Sequence, residues 1–245
     1  MVQVPRRTGV SGPTLIRLLA RLTDADIPES RQSLSDRLSQ WLGWTDAIAL
    51  SAVLDGGPLA VAPAPQAPEG AETQEYSSLR AALAHAIADE RAYVAAPARG
   101  ARGPLGPPAA AVPDTVLEYA TYRQRYLSLQ QTMETRIGKL RGRLRALLAA
   151  RAPALARLAM VDAILERSLS LQERRLLATV PALLEGHFKR LRQAGQDSQD
   201  AGEPAATAIP PWLAAFRKDM RSVLLAELDI RLQPIEGLLA ALRAG

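Results

Sequence analysis

The fold is decided by residues 114–152, which read DTVLEYATYRQRYLSLQQTMETRIGKLRGRLRALLAARA and contain no proline. If Tyr119 is placed at heptad position d, that position is apolar or aromatic in five successive repeats: Tyr119, Tyr126, Met133, Leu140 and Leu147. Position a is mixed and reads Val116, Arg123, Gln130, Ile137 and Leu144. This pattern predicts one long helix of about 36 residues, roughly 54 Å, with a coiled-coil seam for partner helices.

Helical spacing of apolar residues continues from this stretch to the end of the chain. Helix boundaries are predicted at the cap-like Ser168–Glu173, at a kink at Pro181, at a break over residues 195–211, and at Pro234. No stretch alternates with the period of two that a β-strand requires. The sequence therefore predicts an all-α protein with an elongated helical bundle over residues 114–245.

Proline-rich segments divide the chain before residue 114. Residues 56–75 and 96–113 are rich in Pro, Ala and Gly, a composition typical of flexible linkers. Between them, residues 76–95 predict an isolated helix. Residues 1–55 predict a small N-terminal cluster of three short helices. Trp41 and Trp44 are expected to anchor this cluster, or alternatively to form an exposed aromatic docking patch.

The composition excludes several kinds of chemistry. The 245 residues contain no cysteine and two histidines, His85 and His187, so thiolate catalysis and cysteine-ligated metals are excluded. Phosphate-binding loops and nucleophile elbows are absent from the sequence. We therefore predict no enzyme activity, no cofactor and no metal site. An enzyme would require distant residues to converge, for instance His187 with a carboxylate.

Uncharged apolar runs long enough to span a membrane are absent, and the N-terminus does not read as a secretory signal. The sequence therefore predicts a cytoplasmic protein without a transmembrane segment.

Basic residues concentrate in one tract of the long helix. Residues 134–157 carry a net charge of +6, whereas the whole chain carries +5. The cations of this basic tract are Arg136, Lys139, Arg141, Arg143, Arg145, Arg151 and Arg157. Such a tract could bind nucleic-acid phosphates or anionic lipid head groups, although the tract lacks aromatic residues for base stacking. A solvated face, or one that matches an acidic partner protein, is the favoured interpretation.

Three tyrosines share one face of the long helix. Tyr119, Tyr122 and Tyr126 lie at i, i+3 and i+7. The favoured interpretation is that they pack in the bundle core or at its rim. The alternative is a second aromatic docking patch, because aromatic anchors carry much of the binding energy at interfaces.

Two N-terminal stretches, RRTGVSGP at residues 6–13 and LSDRLSQWLGWTDA at residues 34–47, resemble an uncharacterised bacterial family defined as a domain of unknown function. The resemblance implies no activity, catalytic residue or cofactor for this chain. Members are encoded near membrane proteins similar to flagellar-stator or proton-channel subunits and near a peptidoglycan binder similar to outer membrane protein A. The resemblance therefore implies a cytoplasmic helical accessory of an envelope complex.

Together these observations predict a non-catalytic helical adaptor or scaffold that binds other proteins, with a homo-oligomer as an option. The alternative is a nucleic-acid-binding protein that uses the basic helix over residues 136–157.

Overall fold

A computed structural model describes residues 14–24, 32–56, 70–89, 118–200 and 209–244. Every regular element in these ranges is a helix, which confirms the all-α fold class. The helices are α1 (Thr14–Thr23), α2 (Leu34–Trp41), α3 (Trp44–Asp55), α4 (Ala71–Ala88), α5 (Tyr119–Arg151), α6 (Pro153–Leu177), α7 (Val180–Asp200) and α8 (Pro211–Ala244).

The long helix α5 is confirmed, but its buried stripe does not follow the predicted heptad. The buried residues are Tyr122, Tyr126, Leu129, Met133, Ile137, Leu140, Leu144 and Leu148. All eight belong to series with a spacing of 11 residues, whereas Tyr119 and Leu147 at the ends of the predicted seam are only partly buried. Eleven residues in three turns nearly match the period of a straight α-helix, so this stripe needs no left-handed supercoil.

Helices α5 and α8 run parallel and form the centre of the molecule. Arg217 near the start of α8 donates to the Tyr122 hydroxyl, and Arg151 at the end of α5 donates to the Leu242 carbonyl. Helix α6 lies antiparallel to α5, since Arg141 binds Asp162 whereas the earlier Glu134 binds the later Arg174. The buried apolar side chains of α1, α4, α5, α6, α7 and α8 form one continuous core.

Helix α4 corrects the prediction of an isolated helix at residues 76–95. It spans Ala71–Ala88, so residues 71–75 belong to the helix and not to the predicted linker 56–75. It packs against α5 and α8 and buries Leu79, Leu83 and Ile87. A helix with such an apolar stripe is stable only when another element covers the stripe, regardless of the composition of the flanking segments. Residues 90–95 and the predicted linker 96–113 lie outside the described residues.

The three N-terminal helices do not form the predicted small cluster of their own. Helix α1 packs on α7 and α8 through Leu15, Ala20 and Leu22, whereas α2 and α3 pack on α6. The longer helices bury the apolar face of α1, whereas no residue of α3 is buried.

Several predicted helix boundaries are also wrong. Helix α6 passes through Ser168, whose hydroxyl donates back to the Ile164 carbonyl instead of capping a new helix. Pro181 is the second residue of α7, where no helical N–H bond is lost, so it makes no kink. Helix α7 continues past Gly195, and α8 continues past Pro234.

Candidate protein-binding surface

The strongest ion pairs of the basic tract join α5 to α6. Arg141 makes two parallel bonds to Asp162, of 2.9 Å from Nε and 2.7 Å from Nη2. Arg145 binds Asp162 at 3.3 Å and also pairs with Glu166. Burial disfavours the charge of Arg141, but its bonds to Asp162 outweigh this and raise the pKa of its guanidinium. These two arginines therefore serve the fold.

The remaining cations of the tract divide into engaged and exposed side chains. Arg143 pairs with Glu75 of α4, Arg151 donates to the Leu242 carbonyl, and Arg157 donates to the Gly56 carbonyl. Arg136 and Lys139 are exposed and have no polar partner among the residues that the structure describes. The concentrated charge seen in the sequence is thus largely neutralised or occupied within the molecule.

The three tyrosines of α5 belong to the core and its edge. Tyr122 and Tyr126 are completely buried, which contradicts a docking role for both. Tyr119 is partly buried and its ring lies 5.6 Å from that of Phe188. Phe216 meets Tyr122 edge-on at 5.2 Å. Large rings on the covered face of a helix gain most by burial, so the core interpretation holds for Tyr122 and Tyr126.

A buried polar network, which the sequence did not reveal, lies beside these rings. Glu227 is fully buried and accepts bonds from the Tyr126 hydroxyl at 2.6 Å, Gln130 Nε2 at 3.0 Å and Arg231 Nε at 2.9 Å. Burial, together with the neighbouring Glu227 carboxylate, raises the pKa of Tyr126. The sequence did contain one signal of this network. Gln130 occupies heptad position a and is polar, whereas Ile137 and Leu144 at the next two a positions are apolar. Arg231 also binds Glu173 at 2.9 Å, so this network reaches the surface.

That surface contains a groove between α6 and α8, with α5 as its floor. The groove encloses about 750 Å³. Its α6 wall carries a stripe of Leu165, Leu169 and Leu176, and Ile230 and Pro234 lie on the α8 side. Leu176 is 59 % exposed. The groove exists because α6 packs closely against α5 and makes few contacts with α8.

Charged pairs and one tryptophan border this groove. Arg174 of α6 binds Glu134 of α5 at 2.9 Å, and Arg231 of α8 binds Glu173 of α6. Trp41 of α2 lines the groove and is half-buried. This arrangement is an apolar trough with one ion pair between a wall and the floor and a second pair that joins its two walls.

Trp44 is the first residue of α3, three positions after Trp41 and beyond the break between α2 and α3. It is 83 % exposed, so the expectation that it anchors an N-terminal cluster is wrong. Ile48 and Leu54 of the same helix are 55 % and 62 % exposed. Asp46 faces α6, where the neighbouring Ser168 hydroxyl and the Arg167 guanidinium lower its pKa. Helix α3 is therefore fixed on one side and leaves large apolar side chains on the other.

His187 does pair with a carboxylate, as an enzyme would require, but the pair does not lie in the groove. His187 Nε2 lies 2.9 Å from Asp219 Oδ2, and the His187 ring packs 6.3 Å from Phe216. The pair joins α7 to α8 and does not line the groove. Within the described ranges, no cluster of three His, Asp or Glu side chains is arranged to share a metal ion. In the same ranges, no helix is both long and apolar enough to cross a bilayer.

The fold and the groove define an all-α bundle protein with an apolar trough on its surface. The chain belongs to the family described as "Protein of unknown function (DUF3348)", whose profile matches residues 1–244. Comparison with curated proteins and with solved structures found no match.

Proposed function

We propose that this protein is a non-catalytic helical adaptor that binds an amphipathic helix of another protein in the groove between α6 and α8. The observation that supports this proposal is the partly exposed leucine stripe of α6, with Leu176 59 % exposed, beside a trough of about 750 Å³. Helix-in-groove recognition uses an apolar stripe of this kind and reads partner side chains at helical spacing.

The dimensions suit a helix of about four turns. The α6 wall extends over residues 163–176, which is roughly 20 Å at the helical rise. Gly138 lies on the floor, where an added Cβ would meet nothing within 4 Å, so there is room for a partner side chain. The rim pair of Arg174 and Glu134 is partly exposed, and exposed pairs are worth little, so they can rearrange around a ligand.

The expected partner is a protein of the cell envelope, contacted from the cytoplasm. This part of the proposal rests on the resemblance to a bacterial family encoded near stator-like membrane proteins and an outer-membrane-protein-A-like peptidoglycan binder. It specifies where partners should be sought.

A photo-crosslinking amino acid at Leu176, in the cells that natively make the protein, tests this proposal. The matched control is Leu225 of α8, which is exposed but does not line the groove. We expect crosslinks at Leu176 and not at Leu225, in a partner segment with apolar residues at i, i+3, i+4 and i+7. A peptide of that segment should bind the purified protein and lose at least about tenfold in affinity on Leu169→Glu. Equal crosslinking at both positions, or unchanged peptide affinity, would contradict the proposal.

Nucleic-acid binding remains the second candidate and rests on the exposed Arg136 and Lys139. Reversal at Arg141 or Arg145 cannot test it, because both residues support the fold. The double variant Arg136→Glu/Lys139→Glu is the suitable probe in a salt-dependent titration with duplex DNA and with RNA. Tight binding that this variant abolishes would favour nucleic acid over the adaptor.

A further inference from the structure

One arginine serves two carboxylates at one end of the groove between α6 and α8. The Arg231 guanidinium binds the buried Glu227 at 2.9 Å through both Nε and Nη2, and it binds Glu173 at 2.9 Å through Nη1. Among the residues that the structure describes, no second cation lies within ion-pair distance of either carboxylate. This cluster of charges therefore holds one positive and two negative groups.

The neighbouring ion pairs, on the floor and the α6 wall of the groove, are balanced. Two arginines of α5 pair with Asp162 and Glu166. Arg174 pairs with Glu134. The missing positive charge is therefore confined to the cluster around Arg231. An unmatched charge costs more beside apolar walls than in open water, because its surroundings screen it less.

The two carboxylates of this cluster differ in their access to a ligand. Glu227 is fully buried and accepts further bonds from Tyr126 and Gln130. The Glu173 side chain is 43 % exposed and lines the groove. Because Glu227 holds the guanidinium of Arg231 through two nitrogens, that cation stays paired when Glu173 turns away. Glu173 is thus the carboxylate that an incoming cation reaches.

We propose that the groove selects a partner helix with Arg or Lys at the edge of its apolar face, and that Glu173 binds this side chain. The inference rests on the proposed function, since it names the chemistry of the helix that the groove binds. A partner cation restores the charge balance while Arg231 remains with Glu227. A partner carboxylate at the same position is repelled. Charge complementarity of this kind sets specificity more than affinity.

A displayed library of amphipathic helices tests this charge preference. Leucines are fixed at i, i+3, i+4 and i+7, and the flanking positions are randomised. Selection on the wild-type protein should enrich Arg or Lys at one flanking position. Selection on Glu173→Gln should lose this enrichment, whereas selection on Glu185→Gln should keep it. Glu185 is the matched control, because its side chain is 41 % exposed and it pairs with Lys189 on α7, outside the groove.

A double-mutant cycle on one selected peptide then locates the contact. Replacing the basic residue of the peptide by Gln should weaken binding to the wild-type protein at least about fivefold, since a partly buried charged hydrogen bond is lost. The same replacement should weaken binding to Glu173→Gln by less than about twofold. Leu169→Glu should weaken the binding of every selected peptide.

The outcomes separate this inference from the proposed function. Selected helices that require Leu169 but show no basic preference would overturn the inference and leave the groove proposal standing. A basic preference that survives Glu173→Gln would do the same. If no selected helix requires Leu169, both the inference and the groove proposal fail.

Discussion

Gly195 illustrates how one residue misleads a local interpretation. Next to a polar run it reads as a helix terminator, yet α7 continues through it. A Cβ at this position would lie 2.8 Å from Cγ of Trp212, so the missing side chain lets α8 approach α7 closely. The Trp212 ring in turn packs edge-on against Phe188 at 5.3 Å. The glycine serves packing and not termination.

Gly195→Ala should therefore destabilise the protein by about 1–3 kcal/mol, because the Trp212 ring must shift out of its packed position. Urea unfolding followed by tryptophan fluorescence measures this change. The matched control is Gly237→Ala in α8, where an added Cβ meets nothing within 4 Å. The control should be neutral or more stable by about 0.5–1 kcal/mol, since alanine favours helix. Equal effects of the two changes would refute the packing role of Gly195.

At the scale of the helix, α5 shows what hydrophobic period can and cannot predict. Its existence, length and apolar face follow from residues 119–151 alone. The heptad register failed at Tyr119 and Leu147 because several helices, and not one coiled-coil partner, cover α5. A two-stranded coil needs the 3.5-residue period, whereas a helix inside a bundle can keep its relaxed geometry.

The α5–α6 contact depends on the carboxylate of Asp162, which faces both Arg141 and Arg145. Asp162→Asn should lower the free energy of unfolding by about 1–3 kcal/mol, because two partly buried guanidinium groups lose one of their two carboxylate partners and keep only Glu166. The control is Asp229→Asn, which breaks the exposed pair with Arg80 and should cost at most about 1 kcal/mol. Denaturant unfolding of both variants gives the comparison. If Asp162→Asn leaves the free energy of unfolding nearly unchanged, the ion pairs between α5 and α6 do not stabilise the protein.

At the scale of the whole molecule, the N-terminal helices are part of the bundle. Helix α1 places Leu15 and Leu22 in the continuous core, and Arg190 of α7 donates to the Leu22 carbonyl. The proline-rich segments suggested separate units. Proline-rich composition predicts interruptions between helices, but it does not show which distant surface a short amphipathic helix will cover.

Leu22→Ala should therefore destabilise α8, far away in the sequence, by about 2–5 kcal/mol. Amide hydrogen exchange of residues 213–228 reports this directly and should become faster. Ile16→Ala removes an exposed side chain of the same helix and should leave exchange in α8 nearly unchanged. If Leu22→Ala accelerates exchange only within α1, then the N-terminal cluster is an independent unit as the sequence suggested.

The all-α class, the long central helix and the apolar faces were predictable from local sequence, because helical period and helix-breaking residues act within a few turns of chain. The contacts between helices could not be predicted in this way and follow from the tertiary structure. It engaged Arg141 and Arg145 with Asp162, buried Tyr122 and Tyr126, and left the groove beside Leu176 open. These outcomes depend on which helices meet, and burial and charge pairing between residues far apart in sequence have no local signature.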